Sequence, residues 1–226
     1  HVPRLLPDSP RDVAIVGLGS GVTVGAALTH PVSRVDVIEL SPEVVAASHF
    51  FDAENRHALA DPRTRLIVGD GRTHLRLARQ RYDVIVSEPS NPWVSGVSGL
   101  FTDEFYARIS RYLTPDGVFG QWLHLYEIED DLVLDVLGAL HRNFRSYAVY
   151  LTNDVDVLVV ATNAERLPAP DWSVFRSTDI TIDLARFVPL SDAALAGTLL
   201  LTRAELAPLL DSWSGINSDF YPTLDL

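Results

Sequence analysis

A short apolar run, residues 13–16, breaks into Gly17, Gly19 and Gly21 in the stretch VAIVGLGSGV and then enters a helical pattern. That order describes a strand, a tight turn and a helix start. Glycine permits positive φ and close approach of backbone to a ligand, and the first N–H groups of a helix lack partners and face an acceptor. The next β-rich run, VDVIEL, ends on Glu39, where a carboxylate can take the two hydroxyls of a ribose. Residues 17–21 would lie against the sugar and the carbon chain attached to it. Asp70, in GDG, is placed to accept from an exocyclic amine of an adenine, with Gly71 leaving room for the ring; capping of the following helix explains the same aspartate equally well. Further on, SEPSNPW carries Glu88, Asn91 and Trp93 on a loop stiffened by Pro89 and Pro92, an arrangement suited to a reacting centre. The blander reading of Pro92 and Trp93 is a loop plug packed on the core. Gly96 and Gly99 suggest a mobile cover over the pocket, and Gln121, in GQWLHLY, is expected to point into the same mouth.

The elements that must position these residues follow from the hydrophobic pattern. Short β-rich runs alternate with helical ones, the signature of a parallel sheet covered on both faces. Strands are expected at residues 13–17, 35–40, 65–68, 82–88, 117–123, 146–151 and 155–161. Helices are expected at 22–30, 42–51, 72–79, 102–112 and 130–143. The last two strands are close enough in sequence to form an antiparallel edge hairpin. The fold class is therefore α/β: a methyltransferase-like Rossmann fold with a seven-stranded, mostly parallel sheet. Residues 1–163 form the nucleoside-binding domain in this reading. Pro168 and Pro170 mark a linker, and residues 164–226 a small extension with short helices at 192–199 and 203–210.

Composition narrows the chemistry. A formal charge of −12 over 226 residues leaves no basic stripe for nucleic acid, and the absence of cysteine removes thiolate nucleophiles and thiolate metal sites. The seven histidines show no metal-ligand spacing; His124 with Tyr126 is the pair nearest the expected mouth. No apolar stretch reaches the roughly twenty residues of a membrane span. A chain without methionine that starts at His1 reads as a soluble portion of something longer.

The opening HVP, the glycine turn, IELS, VGDG, YDVIV followed by an acidic residue, NP, GLFTDEFY and the glutamine after GVF together resemble the spermidine synthases, the polyamine aminopropyltransferases. The resemblance runs over about residues 2–151. SEPSNPW and NSDFYP look closer to bacterial spermidine synthase-like domains joined to membrane segments. It implies a cytoplasmic domain, a membrane segment upstream in the full-length protein, and a homodimer. It also implies a co-substrate rather than a permanently bound cofactor: decarboxylated S-adenosylmethionine, with an aminopropyl group passing to an amine and methylthioadenosine released. Such a reaction needs a base, because an amine of unperturbed pKa about 10 must lose a proton before it attacks. By motif position that base falls on Glu88, and the family's second acceptor-holding aspartate falls on Asn91. Gln121, Trp93 and Tyr126 are then acceptor-side residues. Asp219 in NSDFYP is either a replacement carboxylate or a surface turn.

Two departures from the family pattern carry chemical weight. The aspartate usual in the glycine turn is Ser20 here, which removes a charge-assisted hydrogen bond of about 1.5–3 kcal/mol to a donor's primary ammonium and removes repulsion against an intact donor carboxylate. Ordinary S-adenosylmethionine thereby becomes a credible donor. An N-methyltransferase is the alternative, since SNPW resembles the asparagine-proline motif that orients a target nitrogen. A non-catalytic nucleoside-sensing domain is the third reading.

Overall fold

The computed structural model describes residues 12–77, 80–92, 94, 96–185 and 191–224. Among these, the chain runs β1 (Asp12–Val16), α1 (Val22–Leu28), β2 (Arg34–Glu39), α2 (Pro42–Ser48), α3 (Asp52–Asn55), β3 (Thr64–Val68), α4 (Gly71–Leu77), β4 (Tyr82–Ser87), α5 (Asp103–Tyr112), β5 (Leu113–His124), α6 (Asp130–Asn143), β6 (Ser146–Asn153) and β7 (Asp156–Thr162). Helices α7 (Thr178–Leu184) and α8 (Asp192–Ala196), strand β8 (Leu199–Thr202) and helix α9 (Arg203–Leu210) follow. The strand order is β3-β2-β1-β4-β5-β7-β6-β8. Pairs from β3 to β5 are parallel, and β7, β6 and β8 join antiparallel.

The sheet thus has an eighth strand beyond the seven expected, and the β6–β7 hairpin lies inside the edge. The sequence reading ran one helix through residues 192–199. Instead α8 stops at Ala196, Gly197 closes its last turn, and Leu199, Leu201 and Thr202 of the strand that follows pair with β6. A short apolar run carries no period that distinguishes helix from strand. Residues after 164 therefore add both a strand to the main sheet and a helix, α9, packed on α6.

Central strands are apolar on both faces, as expected where helices cover a parallel sheet. One core cluster joins Ile85, Phe119 and Leu123 to Phe105, Tyr106 and Leu140 of α5 and α6; the opposite one joins Val13, Val37 and Val84 to Val24 of α1. Within the first, Phe119 and Phe144 stack at 5.6 Å and Tyr106 meets both edge-on. Helix starts follow capping rules: the Ser41 hydroxyl accepts from Val44 N and is followed by Pro42, and the Thr102 hydroxyl accepts from Phe105 N.

Leaving β1, the chain goes to β2 and β3 on one side, then returns to β4 and β5 on the other. The carboxyl ends of β1 and β4 therefore flank the crevice where strand order reverses, the general ligand position in open α/β sheets.

Candidate active site

A cleft of about 500 Å³ opens at this crevice, lined by Gly17, Gly19, Glu39, Asp70, Gly71 and Glu88 among others. Four strand ends predicted from the sequence thus converge on one cavity. Val97 and Leu100, from the turn carrying Gly96, form one wall. The apolar wall and the few inward carboxylates match the usual make-up of a small-molecule site.

The glycine turn is shaped by contact with β4. Gly17 has φ +98°, and a Cβ there would stand 2.4 Å from the Glu88 carbonyl oxygen, so only glycine lets β1 and β4 end side by side. Gly21 caps α1 with φ +79°. Ser20 donates no charge to this turn; its carbonyl accepts from the Asn55 side chain at 2.9 Å. Asn55 is almost fully buried and also bonds Ser48 O and Ala58 N, so it fastens the turn to α2 and α3. Sequence reasoning missed Asn55, because its partner lies 35 residues away.

Glu39 accepts from the backbone N–H of Leu18 and of Ser41, each at 2.9 Å, one on each carboxylate oxygen. These bonds fix the carboxylate beside the glycine turn. A carboxylate has about four acceptor positions, so two remain for ligand hydroxyls. Asp70 caps α4 through Thr73 N at 2.7 Å. Burial works to raise its pKa, but the Thr73 hydrogen bonds and the Arg72 charge outweigh it and hold the carboxyl below its ordinary value. The capping role of Asp70 is thus present alongside its place on the cleft. Gly71 packs on β1: a Cβ would stand 2.8 Å from Val16 Cγ1.

Glu88 follows directly on β4, its N–H bonded to Val16 O at 2.9 Å. Burial pushes its carboxyl above the usual carboxylate range, and a hydrogen bond with Thr23 only partly opposes this. A cleft carboxylate shifted upward by desolvation has the character of a proton acceptor.

The remaining predicted residues divide. The Tyr126 hydroxyl donates to Asn91 Oδ1 at 2.8 Å, linking the loops after β4 and β5. Gln121 does not reach the mouth: it is 0% exposed, its amide donates to Trp122 O at 2.9 Å, and Tyr106 lies beside its oxygen. The alternation of β5 turns Gln121 toward the aromatic core rather than the cleft. Trp93 lies outside the described residues. Asp219 ties the tail to the cleft rim. Its carboxylate accepts from Arg72, beside Asp70, and from the Thr102 hydroxyl at 2.8 Å. Its N–H donates to Glu104. Asn217, fully buried, holds Phe101 O and Asp103 N. Among the described residues there is no cluster of His, Asp or Glu suited to a metal ion, and no helix long and apolar enough to cross a membrane.

Residues 1–157 match the spermine/spermidine synthase domain family. A polyamine aminopropyltransferase of Caldicellulosiruptor bescii is 32% identical over 152 residues, 67% of this chain and 54% of that protein. The chain spans about half the length of the curated relatives it matches. Among solved structures, a spermidine synthase in complex with the transition-state analogue AdoDATO aligns with a TM-score of 0.75 at 21% identity, covering 89% of this chain and 70% of that one. Human methyltransferase-like protein 13 in complex with SAH aligns with a TM-score of 0.60 at 20% identity, covering 87% and 92%. These two likenesses are likenesses of fold, and they place the sheet in the methyltransferase-like group. The glycine turn, the acidic strand ends and the family match agree: the chain belongs to the spermine/spermidine synthase family.

Proposed function

We propose that this chain carries the catalytic domain of an aminopropyltransferase, which moves an aminopropyl group from decarboxylated S-adenosylmethionine, or a related group from the intact donor, to an amine and releases methylthioadenosine. The observation that carries this reading is Glu88. A half-buried carboxylate with raised proton affinity at the strand-reversal crevice, lining the same cleft as the backbone-held Glu39, supports deprotonation of an amine next to a nucleoside.

In this reading Glu39 holds the ribose hydroxyls, Asp70 and Gly71 take the adenine, and the glycine turn follows the sulfur-bearing chain. The bond that forms joins the acceptor nitrogen to the carbon next to the sulfonium; the bond that breaks is carbon to sulfur, and its electron pair neutralises the sulfonium. Glu88 takes the proton that the acceptor amine gives up. The incoming sulfonium lowers the cost of ionising Glu88, so donor binding itself prepares the base. Asn91 and Tyr126 stand on the acceptor side. Ser20 leaves donor choice open between the intact and decarboxylated forms, and Gln121, being buried, acts only by supporting the end of β5.

Incubation of the longest natural form of the chain with either donor and a panel of di- and polyamines, followed by mass identification of the nucleoside product, tests this. Methylthioadenosine supports the proposal. S-adenosylhomocysteine would replace it with methyl transfer, and nucleoside binding without any product would replace it with a sensing role.

A further inference from the structure

On the acceptor side, the carboxylate that the family pattern places at residue 91 is an amide. Asn91 Oδ1 moreover already accepts from the Tyr126 hydroxyl at 2.8 Å. A second ammonium on an acceptor therefore finds no charge there. One is supplied from the neighbouring strand pair. His124 at the end of β5 stands in register opposite Asp156 at the start of β7, and its Nδ1 lies 2.5 Å from Asp156 Oδ1. Asp156 is 7% exposed and also accepts from Asn153 Nδ2 at 2.6 Å, so neither of its two side-chain partners is a permanent cation. The histidine side chain is 20% exposed. Its ring meets that of Tyr126 edge-on at 5.2 Å and that of Trp122 at 6.3 Å. Ser87 pairs with Gln121, so the end of β5 that bears His124 runs past the end of β4, and Tyr126 just beyond it reaches Asn91 on the loop after β4.

A carboxylate accepts only, so Asp156 places the ring proton on Nδ1 and leaves Nε2 as a hydrogen-bond acceptor with a negative charge behind it. We propose that the His124–Asp156 pair, with Tyr126 between it and Asn91, binds the second ammonium of a diamine acceptor, taking over the work of the carboxylate that Asn91 lacks. The pair thereby makes diammonium acceptors preferred over monoamines. This inference rests on the aminopropyltransferase reading for its purpose, but the binding it describes stands independently of turnover.

The test compares the equilibrium binding of 1,4-diaminobutane with that of n-butylamine, with methylthioadenosine present, in the wild type, Asp156→Asn, His124→Gln and the double variant Asp156→Asn/Asn91→Asp. The wild type should prefer the diamine by about tenfold or more, the scale of one charge-assisted hydrogen bond, and each single variant should lose most of that ratio. The double variant, with charge restored on the other loop, should regain part of it. Methylthioadenosine affinity and the melting temperature report whether a single variant has kept its fold; should Asp156→Asn unfold, the ratio in His124→Gln against the wild type decides, and should His124→Gln unfold, the Asp156→Asn ratio does. A diamine preference untouched by these changes, or no preference in the wild type, overturns the proposal. Dyad-dependent diamine binding without any methylthioadenosine production from a donor would sink the transferase reading and leave this site standing.

Discussion

Strand β2 carries two buried carboxylates three residues apart, and the protein holds them in opposite ways. Asp36, 0% exposed on one face, receives both prongs of the Arg65 guanidinium at 2.8 and 3.0 Å, together with Gln80 and the Tyr82 hydroxyl. Burial and the bond to Asp36 push the Tyr82 hydroxyl up to about 12, so it stays a donor across the physiological range. Glu39, at the carboxyl end, is held by two backbone N–H groups and faces the cleft. The first carboxylate has its charge neutralised by a cation and its acceptor positions filled. The second is fixed in place by neutral donors and keeps its charge for whatever enters. Neutralised at one end and available at the other is the difference between a carboxylate that supports the sheet and one left able to take a ligand.

That contrast can be broken by substitution. The largest effect belongs to Glu88, the cleft carboxylate beside Glu39. Glu88→Gln should cut turnover at least about a hundredfold, about 2.7 kcal/mol in activation free energy, while methylthioadenosine affinity stays near normal. Steady-state rates and calorimetry on the same preparation check both halves, and an unchanged rate would remove Glu88 from its role. Next in size is Asp36→Ala. It leaves Arg65 and Tyr82 without their shared acceptor and should cost about 2–3 kcal/mol of stability in urea unfolding, the Arg65 part being small because that side chain is half exposed. Nucleoside affinity should move less than about twofold; a larger change would mean that the two ends of β2 are not separate.

Glu39→Ala should do the reverse, weakening methylthioadenosine about tenfold, the loss of one charge-assisted contact, with a smaller effect on unfolding. Unchanged binding would count against the ribose assignment. The smallest effect is a pH dependence. The folded state raises the Glu88 carboxyl above its unfolded value, so its contribution to stability is present below the ordinary carboxylate pKa and is lost as pH rises through the raised one. Melting curves of the ligand-free wild type should therefore fall below those of Glu88→Gln as pH rises through that window. A gap that widens toward acid instead would contradict the burial argument.

Much of the cleft was legible because its signals are local. A glycine turn after an apolar run, an acid at a strand end and an aspartate before a helix each announce themselves within a few residues, and helix 203–210 came out with the observed bounds. What escaped depends on partners far along the chain. Asn55 reaches Ser20 across 35 residues, and Asp219 reaches Thr102 across 117, so nothing adjacent to either reveals its role. Gln121 was misjudged for a different reason. A strand end puts successive side chains on opposite faces, and only the register with β4 and the packing of Tyr106 decide which face meets the cleft. The leucine run of β8 lacked any period at all.

The tail around Asn217 and Asp219 also bears on where this protein can be cut. The family match ends at residue 157, and a fragment trimmed there would keep every residue of the cleft. It would nonetheless sever β7 after its second residue, stripping β5 and β6 of the strand between them, and would leave Phe101 O, Asp103 N, Thr102 and Arg72 without the partners that the tail now supplies. The boundary that sequence similarity draws and the boundary the molecule needs are about sixty residues apart, and fragments meant for crystallography or directed evolution belong on the longer side.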